Sequence, residues 1–215
     1  MLNSLQQQLE QMYEVDTQLQ VSEFLISDPK LANLYDTSSN SRDTHEKLLL
    51  CQTDDQLNVA LYLSEELIAH LESNNPLEKL DEKNLHQFWI ALEGISHFTY
   101  LTWNASYDRQ ISLFELELQA EVDKFVMAAW LFTQQQNLDQ PKQLLTKLFV
   151  KLQFDTALTE HELNRYTLAN QYAYRYCEKL LTLLVNHFNN QQLFNDIRRF
   201  YRLTNSYKLR HICNH

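Results

Sequence analysis

Glycine is almost missing from this chain, with one residue, Gly94, in 215, and proline and cysteine occur three times each. With so few residues suited to tight turns, a sheet built from many hairpins is excluded and helices are left as the main element. The cysteines, Cys51, Cys177 and Cys213, are odd in number and lack CxxC spacing, which argues against a disulfide framework and a structural zinc site. No run of eighteen apolar residues occurs, and the opening "MLNSLQQQLEQMYEV" carries neither a basic nor an apolar leader segment. The expectation is a cytoplasmic protein with no membrane span. There is no GxSxG elbow, no glycine-rich phosphate loop and no pair of Glu-x-x-His motifs of the di-iron bundles; "EGIS" puts Ser96 where such a motif needs histidine. The sequence thus predicts no metal and no cofactor.

What is present suffices for a packed core: 44% of residues are apolar and 12% aromatic. The net charge of −10 is unevenly placed. Residues 1–123 hold 22 acids and 6 bases, residues 124–164 hold four of each, and residues 165–215 hold 2 acids and 8 bases. A basic end on an acidic body either docks internally or meets an acidic partner.

Periodicity predicts a mainly α, single-domain array of about six to eight helices with one small β-hairpin near 47–63. Apolar residues at helical spacing mark a first helix over residues 2–19, and Pro29 opens a short second one, so 1–35 reads as N-terminal helices. Residues 36–46 read as a polar loop. Alternation of Leu57, Val59, Leu61 and Leu63 with Asn58, Ala60 and Tyr62, after a turn-like "TDD", predicts strands near 47–52 and 56–63. A lone hairpin is marginal in water, so it must pack on helices or pair with another strand. The helical core runs over 64–188, with caps expected at Ser64, Asp81, Ser112 and Thr159 and a helix start at Pro141. Residues 191–215 read as basic terminal helices.

Gly94 falls inside the helix predicted for residues 82–105. Glycine costs about 1 kcal/mol against alanine there, so close packing is the expected reason. An antiparallel neighbour over residues 112–135 would supply the close approach. Beside Gly94 runs a polar stripe of His86, Glu93, His97, Tyr100 and Asn104, and the neighbouring helix carries Glu115 within its apolar arc, flanked by Glu117, Glu121 and Lys124. Glu93 and His97, at i and i+4, share a face, the arrangement by which a carboxylate orients a general base. Glu93, His97 and Glu115 are therefore the candidate catalytic residues. The competing reading is a buried hydrogen-bonded network that fixes helix register.

Toward the C-terminus, Arg165, Tyr172, Tyr176 and Lys179 share a helical face, and "FNDIRRFYRL" turns Arg198, Arg199 and Arg202 away from its apolar side. These seven are the candidate partner-binding residues. Interleaved aromatic and basic residues also suit single-stranded nucleic acid, but the overall negative charge and the lack of a phosphate loop oppose it. His211, Cys213 and His215 alternate, which separates them on a helix and leaves them at most an adventitious chelator. The resulting expectation is an accessory module that binds an acidic protein partner or self-associates; an enzyme or ligand-binding protein using the Glu/His cluster stands second.

Overall fold

The computed structural model describes residues 1–36, 44–53, 56–137, 140–150, 158–184 and 191–214. Among them the chain is mainly α, with nine α-helices and a three-stranded sheet. In chain order these are α1 (Leu2–Tyr13), β1 (Leu25–Ile26), α2 (Pro29–Tyr35), β2 (Glu46–Thr53), β3 (Gln56–Leu63), α3 (Glu65–Ser73), α4 (Leu85–Ala105), α5 (Leu113–Gln134), α6 (Gln140–Leu145), α7 (Glu160–Leu184), α8 (Gln191–Arg202) and α9 (Asn205–Cys213). A wide π turn, Thr146–Val150, continues α6. No helix among the described residues is long and apolar enough to cross a membrane. The loop expected over 36–46, the "TDD" turn and the end of the long helix near 188 fall partly outside the described residues.

Local chemistry accounts for most boundaries. Asp28 accepts a hydrogen bond from the Lys30 amide and places Pro29 in the first turn of α2. The Ser64 side chain caps α3 at the Leu67 amide. Ser112 and Glu115 form a reciprocal capping box at the start of α5, and Thr159 with Glu162 does the same for α7.

Two expected boundaries are corrected. Helix α1 ends at Tyr13, because Glu14 takes a left-handed conformation (φ 52°) and turns the chain away. Asp81 does not cap α4. Its side chain accepts from the Lys83 amide in a preceding turn, and the helix begins only after Asn84. The Asn84 side chain ties down that turn through the Asp81 amide and the Asn74 and Lys79 carbonyls.

The sheet has the order β1-β3-β2. Strands β2 and β3 pair antiparallel from Glu46↔Leu63 to Thr53↔Gln56, while β1 adds a parallel pairing, Leu25↔Leu61 and Ile26↔Tyr62. The hairpin therefore has both a third strand and a helical backing. Alternation divides its faces. Leu61 and Leu63 join the main core, whereas Leu49 and Tyr62 pack with Ala32 of α2 on the other side. The main core runs from Leu2 to Ile212, with α4 and α5 at its centre as an antiparallel pair: Trp89 reaches the Lys124 carbonyl near one end and His97 meets Glu117 farther along. Both central helices are buried on several sides, α4 by the sheet and α1, α5 by α7.

Candidate functional site

Two polar clusters lie between α4 and its neighbours, on opposite sides of the Ser96–His97 peptide. Successive helical residues point about 100° apart, so adjacent side chains enter different environments.

On the Ser96 side the groups are joined by hydrogen bonds. Asp123 accepts from the Tyr13 hydroxyl and the Gln119 amide on one oxygen, at 2.5 and 2.8 Å, and from the Ser96 hydroxyl on the other at 2.5 Å. Lys208 of α9, fully buried, donates to the Gln119 side-chain oxygen and lies over the rings of Tyr100 and Phe200 at 4.5 and 4.6 Å. Burial pushes the Asp123 carboxyl up to about 6, against the pull of its donors, and pushes the Lys208 amine down to about 7. This network joins α1, α4, α5 and α9.

On the His97 side, β2, α4, α5 and α7 bring together Glu46, Glu93, His97, Glu117, Glu121, Lys124 and Arg165. His97 is 8% exposed. Its Nε2 faces Glu117 Oε2 at 3.5 Å and its Nδ1 faces Glu46 Oε1 at 3.7 Å. Lys124 bridges Glu93 at 2.9 Å and Glu121 at 2.6 Å, and Arg165 Nε stands 3.8 Å from Glu117 Oε1. Ligand atoms of Glu93, His97 and Glu117 all lie within 4.8 Å of one another. Glu93, with 28% of its side chain exposed, opens the cluster to solvent.

This cluster is incompletely satisfied. Nine buried side-chain polar atoms lack a hydrogen-bond partner among the described residues, and four belong here: Glu46 Oε1, His97 Nε2, Glu121 Oε2 and Arg165 Nε. Buried polar atoms are ordinarily paired, so their concentration in one place marks a site whose fixed contacts are incomplete. Among the described residues, four carboxylates here face two permanent cations, Lys124 and Arg165.

The titration behaviour follows from that imbalance. Burial pushes the Glu46 and Glu121 carboxyls up, and neighbouring carboxylates add to it despite His97 and Lys124 respectively. Burial opposes a charge on His97, but Glu117 and Glu46 override it and hold the imidazole well above its usual range. Burial would also raise Glu93, yet Lys124 and His97 hold it below the ordinary value. Tyr166, at the edge, is pushed up to about 12 by burial and by the Glu117 and Glu93 charges.

Gly94 belongs to this site. A Cβ there would stand 2.6 Å from Leu61 Cδ1, 2.8 Å from Glu46 Cγ and 2.9 Å from Glu46 Oε1. The close approach is to β3 and β2, which corrects the expected contact with α5. Its consequence is that the Glu46 side chain lies against α4 one turn from His97.

The remaining candidates separate. Glu115 is buried but is engaged at the start of α5, in the capping box and with Arg109 at 2.9 Å. Arg109 in turn holds the carbonyls of Arg202 and Leu203. Glu117, noted in the sequence only as flanking, occupies the position proposed for Glu115. Arg165 turns inward to Glu117. Tyr172 sits edge-on to Phe114. Tyr176 is fully buried, stacked on Phe200 at 4.1 Å with its hydroxyl on Asp196, which removes it from any surface. Lys179 pairs with the same Asp196 at 3.5 Å. Arg198 reaches the Met12 carbonyl and Glu14, and Arg202 reaches the Tyr13 and Glu14 carbonyls, so both cap the end of α1. Arg199 is exposed. His211 contacts Asp196 at 3.1 Å, away from exposed Cys213; His215 lies outside the described residues.

Two cavities lie elsewhere. One of about 310 Å³ lies beside the sheet, lined by residues that include Phe24, Ile26, Tyr35, Leu49 and Val59. Another of about 120 Å³ is lined by His45, Glu66, His70 and His86. Neither a protein-family model, nor a curated protein, nor a solved structure matches the chain.

Proposed function

We propose that the protein is a ligand-binding protein that takes a cation in the cluster formed by Glu46, Glu93, His97, Glu117 and Glu121. The observation that carries this reading is the charge imbalance: four carboxylates gather around His97 and Lys124, with Lys124 and Arg165 as the permanent counter-charges. Burying uncompensated charge is costly, and a bound cation relieves that cost where a proton otherwise must. The reading as a module for an acidic protein partner has less support, since Arg165, Lys179, Arg198 and Arg202 all have partners inside the chain. Arg199 is exposed.

Thermal melting against a panel of cations tests the reading: Zn²⁺, Mn²⁺, Mg²⁺, spermidine and arginine amide, with sulfate and phosphate as controls. A ligand at one hundred times its Kd stabilises by about 2.7 kcal/mol, which for a chain of this length raises Tm by about 5–10 °C. At least one cation should do so in the parent protein and not in Glu117→Gln. No shift with any cation, or an equal shift in that variant, overturns the reading.

A further inference from the structure

The geometry points to a divalent first-row transition-metal ion as the cation, ligated by His97 Nε2, Glu93 and Glu117, with Glu46 orienting the imidazole. This inference rests on the cation-binding reading above and narrows it to one chemical class.

Three observations carry it. The first is the donor set: one imidazole and two carboxylates on α4 and α5, with ligand atoms within 4.8 Å of one another. His97 Nε2 and Glu117 Oε2, 3.5 Å apart, already have close to the separation of about 3.3 Å that two ligands of a tetrahedral ion show at bond lengths of about 2.0–2.1 Å. The second is that His97, nine-tenths buried, aims an Nε2 with no hydrogen-bond partner among the described residues into this space. The third lies on the far side of the ring, where Glu46 Oε1 stands 3.7 Å from Nδ1. A closure of about half an ångström would let that carboxylate accept from Nδ1–H and leave the Nε2 lone pair free, the arrangement that metal-binding histidines ordinarily have behind them.

Charge and ligand type choose the class. Metal binding displaces the imidazole proton, and with His97 then neutral the four carboxylates, Lys124 and Arg165 leave two negative charges, which a divalent ion cancels. Imidazole nitrogen favours zinc or ferrous iron over magnesium or calcium, which prefer oxygen throughout, and the two carboxylates admit manganese as well. An organic ammonium or guanidinium would use the carboxylates alone and leave Nε2 without a role beyond accepting one hydrogen bond. Glu93 serves as the entry side, since it is the most exposed of the three ligands.

The test is isothermal titration calorimetry of Zn²⁺ and Mn²⁺ into the full chain after treatment with a chelator. The expected result is one ion per chain, with affinity at least tenfold weaker in Glu93→Gln and in His97→Gln. A loss of about 10–100-fold is expected in Glu46→Gln, the scale of removing an orienting partner. Cys213→Ser controls for chelation by the C-terminal tail and should change nothing. Circular dichroism checks each variant; Glu93, at the rim, is the substitution that keeps the test sharp if His97→Gln does not fold. Absence of binding, affinity unchanged in both Glu93→Gln and His97→Gln, or binding lost in Cys213→Ser overturns the inference. If spermidine or arginine amide raises Tm while neither metal binds, the cation site stands and the metal assignment falls. If no cation acts at all, both fall.

Discussion

Replacing Gly94 by alanine separates two forces of opposite sign. In an isolated helix the change would stabilise by about 1 kcal/mol. Here the new methyl would meet Leu61 Cδ1 at 2.6 Å and the Glu46 side chain at 2.8 and 2.9 Å. Glu46 ends in a flexible carboxylate and is able to swing, but Leu61 is fully buried on the middle strand, paired on both sides, and has little room to yield. Overpacking of this kind costs about 1–3 kcal/mol and sometimes more, so it should outweigh the helical gain. The expected net loss is up to about 2 kcal/mol, a fall in Tm of up to about 8 °C for a chain of this length. Urea denaturation followed by circular dichroism measures it. Leu61→Ala alone should cost about 2–5 kcal/mol, but it removes the atom that clashes. In its background Gly94→Ala should be neutral or stabilising, giving a coupling of about 1 kcal/mol or more between the two positions. A Gly94→Ala protein that is more stable than the parent, with additive behaviour in the double variant, would refute the account of why this glycine is here.

Lys208 should make stability depend on pH above neutrality. Its amine is held near 7 in the folded protein against 10.5 for the unperturbed group, so between those values the unfolded chain binds more protons and stability rises with pH. The penalty for burying the charged amine is fully present below pH 7. The groups facing it are Asp123, Glu115 and Arg109, with the Gln119 amide oxygen and the Tyr100 and Phe200 rings. The alkaline rise should approach 1.4 kcal/mol per pH unit, the limit for one proton. Stability of the parent measured from pH 7 to 9 should climb relative to Lys208→Met, which should be the more stable near pH 7; parallel curves would show that the amine titrates as it does in water. Asp123 acts oppositely: its carboxyl, raised to about 6, should make stability fall between about pH 4 and pH 6, and Asp123→Asn should remove that fall. Tyr176→Ala should cost about 3–5 kcal/mol in denaturant, as a buried aromatic residue does, whereas a surface tyrosine would stay within about 0.5 kcal/mol.

Local pattern was enough to place the hairpin strands to within a residue, because period-two alternation and a polar turn act together in residues 47–63. The caps at Ser64, Ser112 and Thr159 were equally legible. Strand β1 was not, since two residues show no periodicity and pair only because β3 lies beside them. The same one-residue uncertainty hid a member of the site. A strand begun at residue 47 leaves Glu46 in a loop, whereas pairing with Leu63 makes it the first residue of β2 and brings its side chain to Gly94 and His97. Glu93 and His97 were visible as an i, i+4 pair, but the choice between Glu115 and Glu117 depended on how α5 turns against α4. The Asp123 network had no local signal, because Tyr13 and Lys208 come from opposite ends of the chain. The internal contacts of the basic C-terminal face were hidden for a related reason. The partners of Arg198 and Arg202 are largely backbone carbonyls at the end of α1, which no spacing of side chains announces.

The contrast between a satisfied network around Asp123 and an unsatisfied cluster around His97 is the centre of the account, and Glu46→Gln tests it most directly. Glutamine keeps the shape of the side chain and removes one negative charge from a cluster that holds too many. Melting curves of parent and variant, with and without Zn²⁺ or Mn²⁺, should show the metal-free variant at least as stable as the metal-free parent, with the metal-induced rise in Tm reduced or lost. Such an exchange of stability for binding is the mark of residues kept for a ligand. A metal-free variant that melts several degrees below the parent, with no metal-induced rise in either protein, would contradict the account and make the cluster a structural ion-pair network.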